Sequence, residues 1–445
     1  MIRHAQAVLI VVTLAVLPLA ARAQSLDPIF PTEQPMAPPP ILNGQGPSLV
    51  FQSEKTPRNS ISGGVSFTDV FTDNTYLSST NSESTFSYLL QPYIRVAQST
   101  SRLNWDATLA GGFFFYQNVS NENQWSKNLM MDLSYRLTER LSLRLSDTFS
   151  DTSGLFAASS PVTTTSGISV VDQSNNSLLL PPIQRTLGNT SLGELSYQFG
   201  PGSEAGVRGT FSLFNYPGAS TDSTFGQLYD SRTYSGEAFY NQRLSLRQWL
   251  GASVRVQYID TQPSIGHTGT ASVLLYYGVQ LRPSATVSFF AGPEYYDSPL
   301  VAGTVTTSKG LLYGHQWTPA LGATFNWQGE NTSFFAEYFR QVSDGGGLYS
   351  PVTLQQENAS LRCQLTERQA VTVSFAHFEN DPLGTGQNFT GLSTSVNLEH
   401  LLTRSLAVRV GYARQRQELP SSQNTASTNL AWVSIAYNFT HTFGK

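Results

Sequence analysis

The chain has 445 residues, of which 13% are charged, 40% hydrophobic and 12% aromatic. Its mean hydropathy of -0.19 is too polar for a helical membrane protein, which needs repeated runs of roughly 20 apolar residues. The charged fraction is also well below the roughly 25% of ordinary soluble domains. A formal net charge of -4 provides no basic surface for nucleic acid. This composition favours an all-β chain.

Residues 1–23 have the pattern of a secretory signal peptide. Arg3 and His4 precede an apolar run over residues 7–21, and Ala21-Arg22-Ala23 supplies small residues around a cleavage site. The run is too short for a membrane anchor, so we predict export from the cytoplasm and a mature chain that begins at Gln24. The single cysteine, Cys363, leaves no partner for an intramolecular disulfide.

Residues 24–58 form a proline-rich segment with little hydrophobic periodicity. Eight of these 35 residues are proline, including Pro38, Pro39 and Pro40. Such a composition favours extended polyproline conformations over packing into a core. We predict a periplasmic leader. It is either unstructured or a tether to the cell wall, to a partner or to the mouth of the following domain.

From Ile61 to the end of the chain, apolar and polar residues alternate in stretches of about ten residues, as in β-strands with one apolar face. Clear examples are residues 103–109, 141–146, 371–376 and 406–413. Eight short turns alternate with nine longer loops, and these connections join 18 strands. Short periplasmic turns and longer extracellular loops are typical of transmembrane barrels. We therefore predict an antiparallel transmembrane β-barrel of about 18 strands (16 to 18) over residues 59–445.

Aromatic residues of the apolar parity occur near both ends of the predicted strands. Those near the short turns are Trp105, Tyr135, Phe199 and Trp327, and those near the long loops are Phe115, Phe149, Tyr258, Tyr295, Tyr338 and Tyr412. Two such belts are the interfacial anchors of strands that face lipid. A soluble β-sandwich or propeller would not require this two-ended placement. The pattern indicates contact with outer membrane lipid.

The opposite parity carries charges of both signs, which are costly on a lipid face and tolerable in a wet or paired interior. We predict that these residues line the lumen: Arg95, Asp106, Asp132, Arg136, Arg144, Glu194, Arg208, Glu237, Arg255, Glu294, Glu337, Arg362, Glu399 and Arg409. Many of them should form cross-strand pairs that hold the wall. With seven basic and seven acidic residues, the charge balance does not indicate whether cations or anions would be preferred.

The third long loop, residues 151–189, is the longest connection in the pattern. Its position resembles the loop of general and sugar porins that folds inward and narrows the pore. The run Leu178-Leu179-Leu180-Pro181-Pro182 would suit docking inside a barrel, and Asp172 and Arg185 would then help to line a constriction. The alternative is a mobile surface loop, since long loops without structure are often disordered.

A search for catalytic chemistry finds no site. His267 lies in a Gly-His-Thr-Gly loop and His377 precedes Glu379 and Asp381, but neither has a serine at the spacing of the outer membrane phospholipase motif. No metal-ligand spacing or phosphate-binding loop occurs elsewhere. We expect no enzyme activity and no cofactor.

The last strand presents Val433, Ile435, Tyr437, Phe439 and Phe443 at one parity. It resembles the signal that outer membrane proteins present to the barrel assembly machinery, except that Gly444 and Lys445 follow the final aromatic residue. Residues 59–443 resemble the broad group of porin-like bacterial outer membrane β-barrel proteins, some of which occur with exopolysaccharide systems. The resemblance implies an outer membrane channel for small hydrophilic solutes, or a barrel that exports a partner-delivered glycan. A structural or adhesive barrel remains a third possibility.

Overall fold

The computed structural model describes residues 59–76, 82–118, 124–153, 162–163, 169–170, 185–217, 230–262, 266–299, 313–344, 351–383, 388–419 and 424–443. The predicted signal peptide and leader lie outside these ranges, as does Asp172. The chain divides into two units at Pro38 and Pro39, and every described residue belongs to the second.

The described residues form twenty β-strands. Their bounds are β1 (Ser60–Thr72), β2 (Thr85–Ser99), β3 (Leu103–Tyr116), β4 (Gln124–Arg136), β5 (Leu141–Ser153), β6 (Val162–Thr163), β7 (Ser169–Val170), β8 (Arg185–Gly200), β9 (Ser203–Asn215), β10 (Asp230–Ser245), β11 (Gln248–Gln262), β12 (Gly266–Arg282), β13 (Ala285–Pro299), β14 (Tyr313–Gln328), β15 (Thr332–Ser343), β16 (Val352–Thr366), β17 (Gln369–Pro382), β18 (Phe389–Leu401), β19 (Leu406–Leu419) and β20 (Asn424–Thr442). In these ranges, no helix is long and apolar enough to cross a membrane.

Eighteen of the strands form one closed antiparallel barrel, and β6 pairs only with β7. Each barrel strand pairs with its neighbours in the chain, with β5 followed by β8. The barrel closes between β1 and β20, which pair from Ser60 opposite Thr442 to Thr72 opposite Leu430. The predicted fold class is confirmed, with the upper of the predicted strand numbers.

Several of the short turns have the same hydrogen-bonding pattern. The Thr138 hydroxyl accepts hydrogen bonds from the backbone N–H groups of Arg140, at 3.3 Å, and Leu141, at 3.0 Å. Thr403 accepts in the same way from Ser405 and Leu406. A threonine side chain thus replaces a backbone acceptor and reverses the chain within a few residues. This explains the repeated Leu-Thr tips of the sequence.

The outer surface of the barrel is an apolar band. Along the barrel strands, exposed apolar side chains such as those of Val207 and Leu195 alternate with less exposed polar ones, and the predicted aromatic belts lie on the same outer face. A hydrocarbon band of about 25 Å needs roughly ten residues of a tilted strand, and the barrel strands have 12 to 19. This is the surface of a barrel that spans a membrane. The free Cys363 is half-buried, at the parity of the outer face.

The apolar band predicts that a charge on the outer face lowers the free energy of unfolding by an amount that depends on its depth in the membrane. Val207→Arg places a cation in the band and should lower the free energy of unfolding by about 2–4 kcal/mol. Leu246→Arg, at the exposed tip of the turn between β10 and β11, should cost about 0–1 kcal/mol because it lies near the membrane boundary. Urea unfolding in liposomes measures both. Equal costs would contradict the assigned band.

Candidate functional site in the barrel interior

A row of charges crosses five neighbouring strands on the inner face. Arg144 of β5 lies directly opposite Glu194 of β8, which lies opposite Arg208 of β9. The row continues through Glu237 of β10 to Arg255 of β11. Directly opposed side chains are close enough to interact, and alternating signs make each neighbour favourable. The sequence pattern predicted that these residues lie on the inner face, and the strand register places them so that positive and negative charges alternate.

Arg208 is the centre of this row. Its guanidinium forms an ion pair with Glu194 and lies 3.5 Å from Glu237 Oε2. It also lies over the Phe239 ring, 5.5 Å from the centroid. All three charged side chains are almost fully shielded from solvent. Buried ions need such partners, because an unpaired charge in the interior is strongly unfavourable.

Arg255 and Glu294 form a second buried pair, with Nη2 and Oε1 3.2 Å apart. Glu294 also accepts a hydrogen bond at 2.9 Å from the backbone N–H of Val342 in β15. Arg255 donates to Gln341 Oε1 at 3.4 Å. The pair therefore joins β11 and β13 to the end of β15, two strands further along the wall than β13.

The remaining ion pairs lie at more solvated positions. Arg95 pairs with Asp106 at 2.7 Å and Arg144 with Asp132 at 2.8 Å, and the side chains of Arg144 and Asp132 are 55% and 40% exposed. Beyond the closing strands β1 and β20, Glu399 of β18 pairs with Arg409 of β19 at 2.7 Å and lies 3.9 Å from Arg362. Water can reach this part of the interior, whereas the side chains of Arg255 and Glu294 are only 3% and 0% exposed.

Two predicted lumen residues lack an ion pair in the part of the chain that the structure describes. Arg136 is exposed at the short-turn end of β4. Glu337 is buried in β15 and accepts a hydrogen bond from Asn358 Nδ2 at 3.3 Å. All fourteen charges predicted for the lumen have the parity of the inner face, and twelve of them are ion-paired.

The placement of Arg185 differs from its predicted place in a constriction. It is the first residue of β8, and it binds both oxygens of Asp151 at 2.7 and 2.8 Å. Its parity is that of Leu195 and Tyr197, whose side chains face outward. The strand begins earlier than the loop pattern indicated, so Arg185 is part of the wall at the outer rim.

The interior also contains an apolar cluster that strand parity alone did not predict. We call these residues of β12 to β17 the inner apolar cluster: Leu274, Tyr276, Phe290, Ala320, Phe339, Val352, Leu354 and Phe378. A sequence signal existed, because Val273 to Tyr277 is an unbroken apolar run. Such runs indicate strands that are buried on both faces.

The histidines considered for catalysis lie apart from the charged rows. His267 stacks on Tyr258, with ring centroids 5.2 Å apart. His377 Nδ1 lies 3.6 Å from Glu357 Oε2. Among the described residues, no group of three or more His, Cys, Asp or Glu side chains is arranged to hold a metal ion.

Comparison with known proteins finds barrels of low similarity. The chain is similar to the outer membrane protein OpdK of Pseudomonas aeruginosa, with 11% identity, a TM-score of 0.40, and coverage of 86% of this chain and 99% of that one. It is similar to OccK2 (OpdF) of the same organism, crystallised with glucuronate, with 11% identity, a TM-score of 0.42, and coverage of 86% and 98%. It is also similar to the siderophore receptor PirA of Acinetobacter baumannii, with 8% identity, a TM-score of 0.43, and coverage of 87% and 81%. No protein-family model and no curated protein matches the chain. Similarity at this level does not establish a shared activity.

The buried row predicts a large effect of removing its central cation. Arg208→Met leaves Glu194 and Glu237 without their partner and should lower the free energy of unfolding by about 3–5 kcal/mol. The same change at Arg144, whose side chain is mostly exposed, should cost about 0–1 kcal/mol. Urea unfolding of the two variants measures the difference. Adding Glu194→Gln and Glu237→Gln to Arg208→Met should recover most of the loss.

Proposed function

We propose that the barrel is a channel for the passive passage of small hydrophilic solutes across the outer membrane. The observation that carries the proposal is the charged, solvated part of the inner wall. There Asp132 and Arg144 remain substantially exposed although they face the interior of a membrane-spanning barrel. Barrels of 16 to 18 strands are wide enough to enclose an aqueous channel. Paired charges make such a wall wettable without a large net field.

Passage through this channel should be only weakly selective by charge. Arg95, Asp106, Asp132 and Arg144 contribute two positive and two negative charges at neighbouring positions. Beside the inner apolar cluster, the end of β15 contacts residues of β11 and β13, and we expect it to narrow the interior there. The third loop (151–189) would narrow it further if Asp172 and its neighbours fold inward.

The proposal includes the path to the membrane. Residues 1–23 direct export, residues 24–58 form a periplasmic leader, and the last strand, which ends beside Phe443, presents the assembly signal. The backbone N–H of Phe443 donates to the Asn59 carbonyl at 2.9 Å, so the two ends of the barrel domain meet on the short-turn side. Export of a glycan would instead need a partner at the leader, which lies outside the described residues.

Single-channel recording in planar bilayers tests the channel. The mature protein should give a stable conductance, and replacement of residues 156–183 by a short Gly-Ser linker should increase it if the third loop folds inward. The matched control shortens residues 219–228, in the next long loop, and should leave the conductance unchanged. The absence of current from protein with heat-modifiable gel migration, which shows a folded barrel, would contradict the proposal.

Reversal potentials test whether the solvated charges line the path. Asp106→Asn together with Asp132→Asn leaves Arg95 and Arg144 unbalanced, so permeability should shift toward anions. Asp147→Asn is the matched control, because Asp147 has the outer parity and accepts hydrogen bonds from Ser191 at 2.5 Å and Asn189 at 3.3 Å. An equal shift from both variants, or none from the first, would remove these residues from the conduction path.

A further inference from the structure

The hydrogen-bonded ladder between β14 and β15 stops before the long-loop ends of the two strands. β14 pairs with β13 along its whole length, to Tyr313, but it pairs with β15 only from Gln328 opposite Ser333 to Leu321 opposite Arg340. Above that level β15 continues its pairing with β16 to Ser343. Residues 313–320 of β14 therefore face residues 341–343 of β15 across a gap in the ladder. We call this gap the seam.

Proline explains why the ladder stops there. Pro319 lies directly opposite Pro293 of β13. Directly opposed residues of antiparallel strands exchange either two hydrogen bonds or none, and two prolines can exchange none. The N–H that Pro319 lacks is consequently the one that would have faced β15. A proline is tolerated in a strand where such a donor is not needed, as at an edge.

Buried polar contacts hold the end of β15 away from β14. The Val342 N–H, which would otherwise be available to β14, donates to Glu294 at 2.9 Å. Gln341 accepts from Arg255 at 3.4 Å, and Ser231 of β10 donates to Asp344 at 2.8 Å. The upper end of β15 therefore contacts the inner face of β10, β11 and β13. The seam is a built feature of the fold.

The seam separates two apolar environments. On the inner side lie Ala320, Phe290 and Phe339 of the inner apolar cluster. On the outer side Trp317 is 65% exposed and packs against Tyr295, with ring centroids 5.3 Å apart. These two aromatic residues belong to the outer surface at the long-loop end of the band. The seam therefore has apolar side chains on both its inner and its outer side.

A cation stands at the lower end of the seam. Arg340 is the last residue of β15 that pairs with β14, and it is half-buried at the parity of the outer face. Among the described residues, no carboxylate lies within ion-pair distance of the Arg340 guanidinium. A guanidinium matches a carboxylate in geometry and charge, and its interaction strengthens at partly desolvated positions.

We propose that the seam binds a small amphipathic carboxylate and admits it between the outer leaflet and the barrel interior. Arg340 binds the carboxylate, and the apolar body lies between Pro319 and the inner apolar cluster. The exposed backbone groups of β14 are tolerated at this depth because the gap holds water or the polar part of the ligand. This activity is separate from the passage of hydrophilic solutes through the lumen.

Fluorescence titration with dansyl-labelled undecanoate tests the site, with the full mature protein folded in uncharged detergent. The wild type should bind the probe saturably, with a blue shift in its emission. Arg340→Gln should weaken binding by about tenfold, the usual scale for losing a charge-assisted contact, and Arg340→Lys should recover most of it. Arg414→Gln is the matched control, because Arg414 is an exposed outer-face arginine of β19. It should leave binding unchanged.

A second variant tests the seam without touching the charge. Pro319→Val restores a backbone donor toward β15 and should weaken probe binding severalfold, whereas Pro92→Val in β2, where the ladder to β3 is also interrupted, should not. Equal binding by wild type, Arg340→Gln and Pro319→Val would overturn the proposal. Displacement of the probe by purified lipopolysaccharide but not by decanoate would also overturn it, in favour of a lipid headgroup site. Single-channel conductance of the same variants separates the two proposals. If a variant has lost probe binding but keeps the wild-type conductance, the proposed channel for hydrophilic solutes is unaffected.

Discussion

The structure depends on one constraint, which is that backbone N–H and C=O groups have no water to pair with in a bilayer. A sheet meets this constraint only if its first and last strands pair, and here β1 and β20 do so over thirteen residue pairs. Closure in turn gives every strand one face toward lipid and one toward the interior. The apolar band, the aromatic belts and the charged inner wall all follow from that division.

The interior charges illustrate how register converts composition into structure. Arg208 is stable at a buried position only because Glu194 and Glu237 lie directly opposite it on the two adjacent strands. A shift of one residue in either strand would turn those carboxylates toward lipid. The ion pairs therefore stabilise one register over its neighbours. Where water reaches the wall, as at Arg144, the same pairing contributes less to stability and more to a hydrated path.

The seam is a place where the wall departs from uniform pairing, and its cause is local. Pro319 removes one donor, and Glu294 supplies an acceptor for the donor of Val342 that is left over. The end of β15 is then free to pack on the inner apolar cluster. A hydrophilic channel and an apolar side path can coexist in one barrel, because the polar and apolar parts of its interior lie at different positions along the wall.

Sequence patterns were sufficient to predict the fold class, a strand number of about eighteen, the alternation of short turns and long loops, and the parity of the charged residues. They could do so because these features depend on the period of two and on local turn chemistry, as at Thr138. Three outcomes became visible in the folded barrel alone: which charges meet, that Arg185 turns outward to Asp151, and that the end of β15 reaches Glu294. Those outcomes depend on register and on contacts between strands far apart in the chain, for which a single sequence carries no local signal. Two features are intermediate cases. Pro319 marks an interruption of the ladder, and the apolar run from Val273 to Tyr277 indicates that β12 is buried on both faces. Neither feature identifies the residues that lie against it.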